Sequence, residues 1–461
     1  MLSPADALRP LPLQRRYVEH LRSTAPALWA WHAAQAPALH AEALRLQLLK
    51  TSVRLEPEAE PQLFAAARAA QSAFGIELPL TIYQSALAEG RNAALWFLPE
   101  ELHVVLSGPL SEELSASELQ ALFAHELAHH ALYRAEDGAY RIAGQILDSA
   151  LQEADAPPSA RASALRYRRA MEVYADRAAL AVAGSLEAAV GCLLKTATGL
   201  KRIDAAAFVR QAEEVLEKDP NLRSQGLTHP EAFLRARALA AFAREEEQAD
   251  ERVVRWIEGE LELERLDLLD QHRVQRSTRE LLRAALAPEW MRSDELLAHA
   301  RAFEPELDPL TLENECDEAA LGARLAAEGP GLRDYWCYLL LDLAALSEDE
   351  SDLALWRGLE LAEHFDARER LSELARTELG RTKKALEKLA KEAPVKIAAL
   401  EKREKAPAKR RSKAKIAAEA DPEDAAPADA APKHEAGPND GAAPKDETAT
   451  KEDAATKDGE A

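Results

Sequence analysis

The stretch Ala121-Leu-Phe-Ala-His-Glu-Leu-Ala-His-His130 decides how this chain is read. It places His125, Glu126 and His129 in the order H-E-x-x-H within an amphipathic helical pattern, the order of a zinc-hydrolase signature. Residues i and i+4 of a helix stack on one face, so His125 and His129 can aim imidazole nitrogens at one ion about 2.0–2.1 Å away. Glu126 then leans beside the ion rather than onto it, placed to take a proton from an activated water as general base. Two His and a Glu can also fall into this spacing by accident on a buried helix, so the motif asks for a third ligand. The extended pattern H-E-x-x-H-x-x-G-x-x-H would supply one at once, but Leu132 and Ala135 stand where its Gly and His belong.

A carboxylate on a later helix is the other solution. Met171-Glu-Val-Tyr-Ala-Asp-Arg-Ala-Ala-Leu180 sets Glu172 and Asp176 at i and i+4 on one face. Glu172 is the expected third metal ligand. Asp176 is the expected acceptor for the outer N–H of a ligating histidine, which fixes its tautomer and ring orientation. Taken alone, the pair could equally be two solvated acids on a charged helix. Further on, Thr228-His-Pro-Glu-Ala-Phe-Leu-Arg235 puts His229 at a helix start, Pro230 at the first helical position and Arg235 on the helix it opens.

Together these motifs resemble the HtpX and CAAX prenyl protease family of zinc metallopeptidases, over roughly residues 60 to 245. The likeness takes in Asn92-Ala-Ala-Leu-Trp-Phe97 and His103-Val-Val-Leu-Ser107, similar to the family's strand pair. It also takes in the lead-in Leu110-Ser-Glu-Glu-Leu-Ser-Ala-Ser-Glu-Leu119. The resemblance implies a zincin-like metallopeptidase domain that binds one Zn²⁺ per chain through His125, His129 and Glu172. It implies too that His229 or Arg235 lies near enough to stabilise an oxyanion. Members of that family are often membrane-embedded or exported, and no window here approaches the 18 or so apolar residues of a spanning helix.

Composition sets the rest. The net charge of −22 and pI near 5.1 argue against general nucleic-acid binding, which needs a basic footprint. Cys192, Cys316 and Cys337 are odd in number and far apart, so neither a disulfide framework nor a cysteine metal site is expected. The amino terminus lacks a basic segment followed by an apolar one, and the expected compartment is the cytoplasm. Abundant Ala, Leu, Arg and Glu predict a mostly α-helical fold with a small β-hairpin or sheet.

Read in order, residues 1–59 are expected to form helices that pack on a metallopeptidase domain over residues 60–246. An all-helical domain over residues 247–379 and a disordered, low-complexity charged tail over residues 380–461 follow, the start of the tail open to being helical to about Leu400. Ser115-Ala-Ser-Glu118 reads as a capping box that opens the H-E-x-x-H helix, and Glu136-Asp-Gly138 closes it. Asn92–Phe97 and Leu102–Leu106 flank a turn and predict a hairpin. Its strand around Asn92, Ala93 and Ala94 is a candidate edge for an extended substrate, or else it roofs the helix. His130 points about 100° away from His129 and is expected to be structural, as is His103. The helical domain and the basic segment Lys383–Lys415 are candidate surfaces for partner contacts, against the plainer reading of a solvated tail.

The resulting expectation is a zinc-dependent endopeptidase acting on a protein or peptide substrate, with Glu126 as base. The alternative is a zinc-stabilised, chaperone-like or partner-binding protein in which cleavage is weak or absent. An intact Glu126 speaks against that alternative, because a residue that binds no metal has no structural reason to stay.

Overall fold

The computed structural model describes residues 2–35, 41–86, 90–218, 232–244, 248–259, 261–312, 317–347 and 351–404. In chain order these form α1 (Pro4–Ala7), α2 (Pro12–Thr24), α3 (Pro26–Ala34), α4 (Ala41–Thr51), β1 (Ser52–Arg54), α5 (Pro61–Phe74), β2 (Leu80–Ser85), β3 (Asn92–Leu98) and β4 (Glu101–Ser107). Then follow α6 (Leu110–Glu113), α7 (Ala116–Gln152), α8 (Pro158–Ala183), α9 (Leu186–Thr198), α10 (Ala205–Lys218), α11 (Ala232–Ala243) and α12 (Ala249–Glu258). The last elements are α13 (Leu268–Ala285), α14 (Asp294–Phe303), α15 (Glu318–Ala326), α16 (Pro330–Leu346), α17 (Ser351–Glu363), α18 (Arg368–Thr377) and α19 (Lys383–Glu404). Among the described residues, no helix is long and apolar enough to cross a membrane.

The four strands make one mixed sheet in the order β1-β2-β4-β3. β3 and β4 are the expected antiparallel hairpin, with Leu95 opposite Val104. β2 runs parallel to β4, with Ile82 opposite Val104, and β1 joins the far side antiparallel to β2. β1 comes from the amino-terminal segment, which sequence patterning reads as helices alone. Its three residues directly follow α4 and are too few to show a period of two. One face of the sheet packs Ile82, Leu102, Val104 and Leu106 against Leu63, Phe64 and Ala67 of α5 and Leu119, Leu122 and Phe123 of α7. Burying each such side chain contributes about 1.5–3 kcal/mol, enough to fix which face of α7 turns inward.

α7 opens at the expected capping box: Glu118 N–H donates to Ser115 Oγ, and Ser115 N–H donates to Glu118 Oε2 at 2.7 Å. At residues 135–138 its backbone leaves the helical region, with left-handed φ at Glu136, Asp137 and Gly138. The chain then resumes as a second helical segment in the same element. Its first part lies on the sheet core, while its second part joins α8, α2 and the helices from α9 to α12 in another core built around Tyr17, Tyr140, Tyr167 and Tyr174.

Helices α13 to α19 share a third core containing Trp336, Leu340, Leu359 and Phe365. The segment after residue 380 opens with the helix allowed for it to about Leu400. Lys383–Glu404 is helical, with Leu389 and Ala393 buried and Leu386, Ile397 and Leu400 packed on the same cluster. Those five positions recur every three or four residues, an apolar stripe hidden in a Lys- and Glu-rich composition. Residues 405–461 lie outside the described residues.

A buried polar cluster ties these parts together. Arg166 of α8 reaches Asp267 at 2.9 Å and Asp270 at 2.6 Å, and also donates to the carbonyl of Glu258. The Tyr17 hydroxyl of α2 donates to Asp267, and Leu268 N–H donates to Ser163 Oγ of α8. Removing one partner leaves buried charge uncompensated. Arg166→Ala should therefore lower stability by about 3–5 kcal/mol, read as a fall in the denaturant midpoint; a midpoint unchanged from wild type would show the cluster to be energetically idle.

Candidate metal centre

Three helices converge on one point. The first segment of α7 supplies His125, Glu126 and His129, α8 supplies Glu172 and Asp176, and α11 supplies Arg235. The imidazoles of His125 and His129 face each other with their Nε2 atoms 3.3 Å apart. Glu172 offers its two oxygens at 3.6 Å from His125 Nε2 and 3.8 Å from His129 Nε2. Among the described residues, these three form the one cluster whose geometry could hold a metal ion. Four ligands at arms of 2.0–2.1 Å in a tetrahedron lie about 3.3–3.4 Å from one another. The observed separations are close to that edge length, so the donor set fits a small tetrahedral cation.

The surroundings orient the donors. His125 Nδ1 lies 3.1 Å from Asp176 Oδ1, and since a carboxylate oxygen can only accept, the proton sits on Nδ1 and the Nε2 lone pair faces His129. Arg235 grips Asp176 with both arms of its guanidinium, at 2.6 Å and 2.5 Å, and approaches Glu172 at 3.2 Å. Asp176 lies against His125 on the side away from His129. Arg235 is engaged with the two carboxylates behind the cluster. His129 Nδ1 is buried without a hydrogen-bond partner among the described residues.

Electrostatics point the same way. Burial lowers the basicity of His125, but the hydrogen bonds to Asp176 and Glu172 outweigh it and hold the imidazole up at about 10. Burial together with that neighbouring charge pushes His129 down to about 4. Two lone pairs turned toward each other are reconciled by one positive charge between them, a proton on His125 or a metal ion. Glu126, Glu172 and Asp176 bring three carboxyl groups together here, with Arg235 in contact with two of them, and a bound cation would offset their negative charge. Burial also pushes the Glu126 carboxyl up to about 7, into the range useful for proton transfer near neutrality.

Two cavities meet at this point, and Glu126, His129 and Glu172 line both. The larger, about 440 Å³, is walled by Leu122, Ala179, Ala189, Cys192 and Leu193, and Asn92, Ala93 and Ala94 of β3 border it. The smaller, about 300 Å³, is bounded by Leu95, Tyr133, Met171 and the ion pair Arg168–Asp148 at 2.7 Å. Sequence reasoning did not single out Tyr133, Arg168 or Cys192. Arg168 was within reach, since it precedes Glu172 by four and Asp176 by eight and so shares their helical face. Two further histidines are accounted for by packing. His130 Nε2–H donates to the Leu98 carbonyl at 3.0 Å, and His103 is buried between Tyr83 and Glu101. His229 lies outside the described residues.

Residues 60–243 match the profile of Peptidase family M48. The chain is also similar to the plastoglobule-localized metallopeptidase 48, chloroplastic, of Arabidopsis thaliana, 32% identical over 164 residues. That match covers 31% of this chain and 45% of the relative, so the chain spans less than half of the relative's length. No solved structure matches. The match encloses every one of the converging side chains, from β3 through α7 and α8 to Arg235, and on that ground residues 60–243 are a domain of peptidase family M48.

Proposed function

We propose that this chain is a zinc-dependent endopeptidase that holds one Zn²⁺ through His125, His129 and Glu172. The observation that carries this reading is the spacing of the three donor groups, close to the edges of a tetrahedron, with the buried Glu126 beside them. Bound Zn²⁺ supplies a Lewis acid and lowers the pKa of water to about 7.

The protein's own residues do the remainder. Asp176 keeps the proton on His125 Nδ1, and Arg235 holds Asp176 in register with Glu172. Glu126 accepts a proton from water and returns it to the departing amine nitrogen, a cycle suited to a carboxyl poised near 7. β3 is an edge strand bordering both cavities, so an extended chain can lie along it with side chains entering either one. Open cavities on both sides of the catalytic group favour cleavage within a chain over trimming at its end. Arg235 contributes positive charge behind the carboxylates and, like His229, remains a candidate for stabilising charge that develops on the substrate.

Elemental analysis of protein titrated with zinc should give one ion per chain, and the loaded protein should cleave an unfolded polypeptide. Glu126→Gln should bind the ion equally well and lose cleavage by roughly 10²–10⁴-fold. Protein that takes up no zinc, or a Glu126→Gln variant as active as wild type, would end this reading.

Glu172→Ala should abolish tight zinc binding by removing a ligand. Asp176→Ala should weaken it about 10–100-fold by freeing the His125 ring. Equal, negligible losses from the two, measured by competition with a chromophoric chelator, would place the third ligand elsewhere.

Proton release gives a further test. In metal-free protein the His125 proton stabilises the fold fully below its ordinary value of 6.5, and that contribution is lost as pH rises through about 10. Zinc must displace the second proton, on His125 Nε2, while Asp176 keeps the one on Nδ1. Apparent zinc affinity should therefore climb about tenfold per pH unit between pH 7 and 9, and a flat profile in the same chelator competition would contradict the protonation of His125.

A further inference from the structure

The turn joining β3 to β4 has two residues, Pro99 and Glu100, so the closing pair Leu98 and Glu101 exchanges both backbone hydrogen bonds. Antiparallel pairs alternate between bonded and non-bonded. Trp96, Ala94 and Asn92 therefore turn their amides toward β4, while Phe97, Leu95 and Ala93 turn theirs outward. β3 is the edge of the sheet, so outward is away from every other strand. The outward amide of Leu95 has a partner: it donates to Glu126 Oε2 at 2.9 Å.

We propose that the Leu95 backbone N–H is a positioning group for Glu126, and that the substrate backbone consequently registers on Ala93 rather than on Leu95. The inference rests on the assignment of Glu126 as the base. Glu126 is 6% exposed, and within a buried setting a hydrogen bond to an ionised carboxylate is among the stronger ones available to a backbone amide. Holding Oε2 on the strand leaves Oε1 as the oxygen that faces water and exchanges the proton. The same bond removes one donor from the rail. An extended chain laid against β3 finds its paired donor and acceptor at Ala93, one outward position earlier, where the strand borders the larger, apolar cavity. The sheet thus serves the site twice, fixing the base with one amide and the substrate with the next.

Site-resolved amide hydrogen exchange on the full chain tests the first half without any substrate. Leu95 should be protected in wild type. Glu126→Ala should accelerate its exchange at least tenfold, while the β4-paired amides of Ala94 and Trp96 keep their protection and so report an intact strand. Glu126→Gln retains an acceptor oxygen and should preserve most of the protection at Leu95. Exchange at Leu95 as fast in wild type as in Glu126→Ala would overturn the assignment. For the second half, the α-hydroxy acid of leucine at position 95 exchanges the N–H for an oxygen. In zinc-loaded protein it should lower kcat about tenfold or more with KM unchanged, whereas the α-hydroxy acid of alanine at position 93 should raise KM with kcat unchanged. The reverse split would mean that Leu95 binds substrate, and the proposal would fall. A wild-type protein that cleaves nothing would count against the endopeptidase reading alone, because the exchange experiment decides the Leu95 contact independently.

Discussion

The Asp176 carboxylate is the joint on which the centre depends. One oxygen meets His125 of α7, and both meet Arg235 of α11, while its own backbone belongs to α8. Burial raises the cost of its charge, yet Arg235 and His125 together hold it below the usual carboxylate range, so it stays ionised in the interior. Three helices are thereby locked at one point by interactions that are strong because water is absent, and that would be costly to break singly for the same reason. Two imidazoles and two carboxyl groups cannot be held at such spacings by hydrophobic packing alone, which is indifferent to rotation of a side chain about its own axis. The polar joint supplies the direction that packing lacks.

Packing supplies the rigidity in turn. Val173, Tyr174 and Ala178 of α8 lie in the core around the tyrosines, and Ala124, Leu127 and Ala128 of α7 have no exposed surface. With the apolar faces fixed, the remaining face of each helix has little choice but to present its polar residues to the shared cleft. The Arg166 cluster extends this restraint through α8 to α2 and α13, so the helix carrying Glu172 and Asp176 is tethered at its amino-terminal half by buried charge and at its carboxy-terminal half by the Asp176 joint.

Much of the centre was legible because side-chain chemistry and helical period coincide. His125, Glu126 and His129 announce themselves by type and spacing, and Glu172 and Asp176 share a face by the same period. The hairpin and the capping box at Ser115 follow from turn and cap chemistry that is local in sequence. β1 was not legible, being three residues long and dependent on pairing with a strand some thirty residues away. The parallel pairing of β2 with β4 is likewise a long-range choice, without a local pattern. The contact from Leu95 to Glu126 could not be read at all, because a backbone amide is present at nearly every position and only the fold decides which way it points. The helix of α19 was legible to about Leu400, but its packing on the third core was not, since Lys and Glu outnumber the five residues that pack.

The strand beside Glu126 carries a liability of its own. Asn92-Ala-Ala-Leu-Trp-Phe-Leu98 contains no charge and no proline and lies at the edge of a sheet, the features of a segment that templates intermolecular β-association. Natural edges are usually blunted by lysines or prolines, and this strand carries neither. Recessing that edge against α7, with one amide capped by a carboxylate, protects it by shape rather than by sequence. A protein built this way fails in a characteristic manner: loosening the helices that form the recess bares the strand, so that loss of the centre and onset of aggregation become a single event.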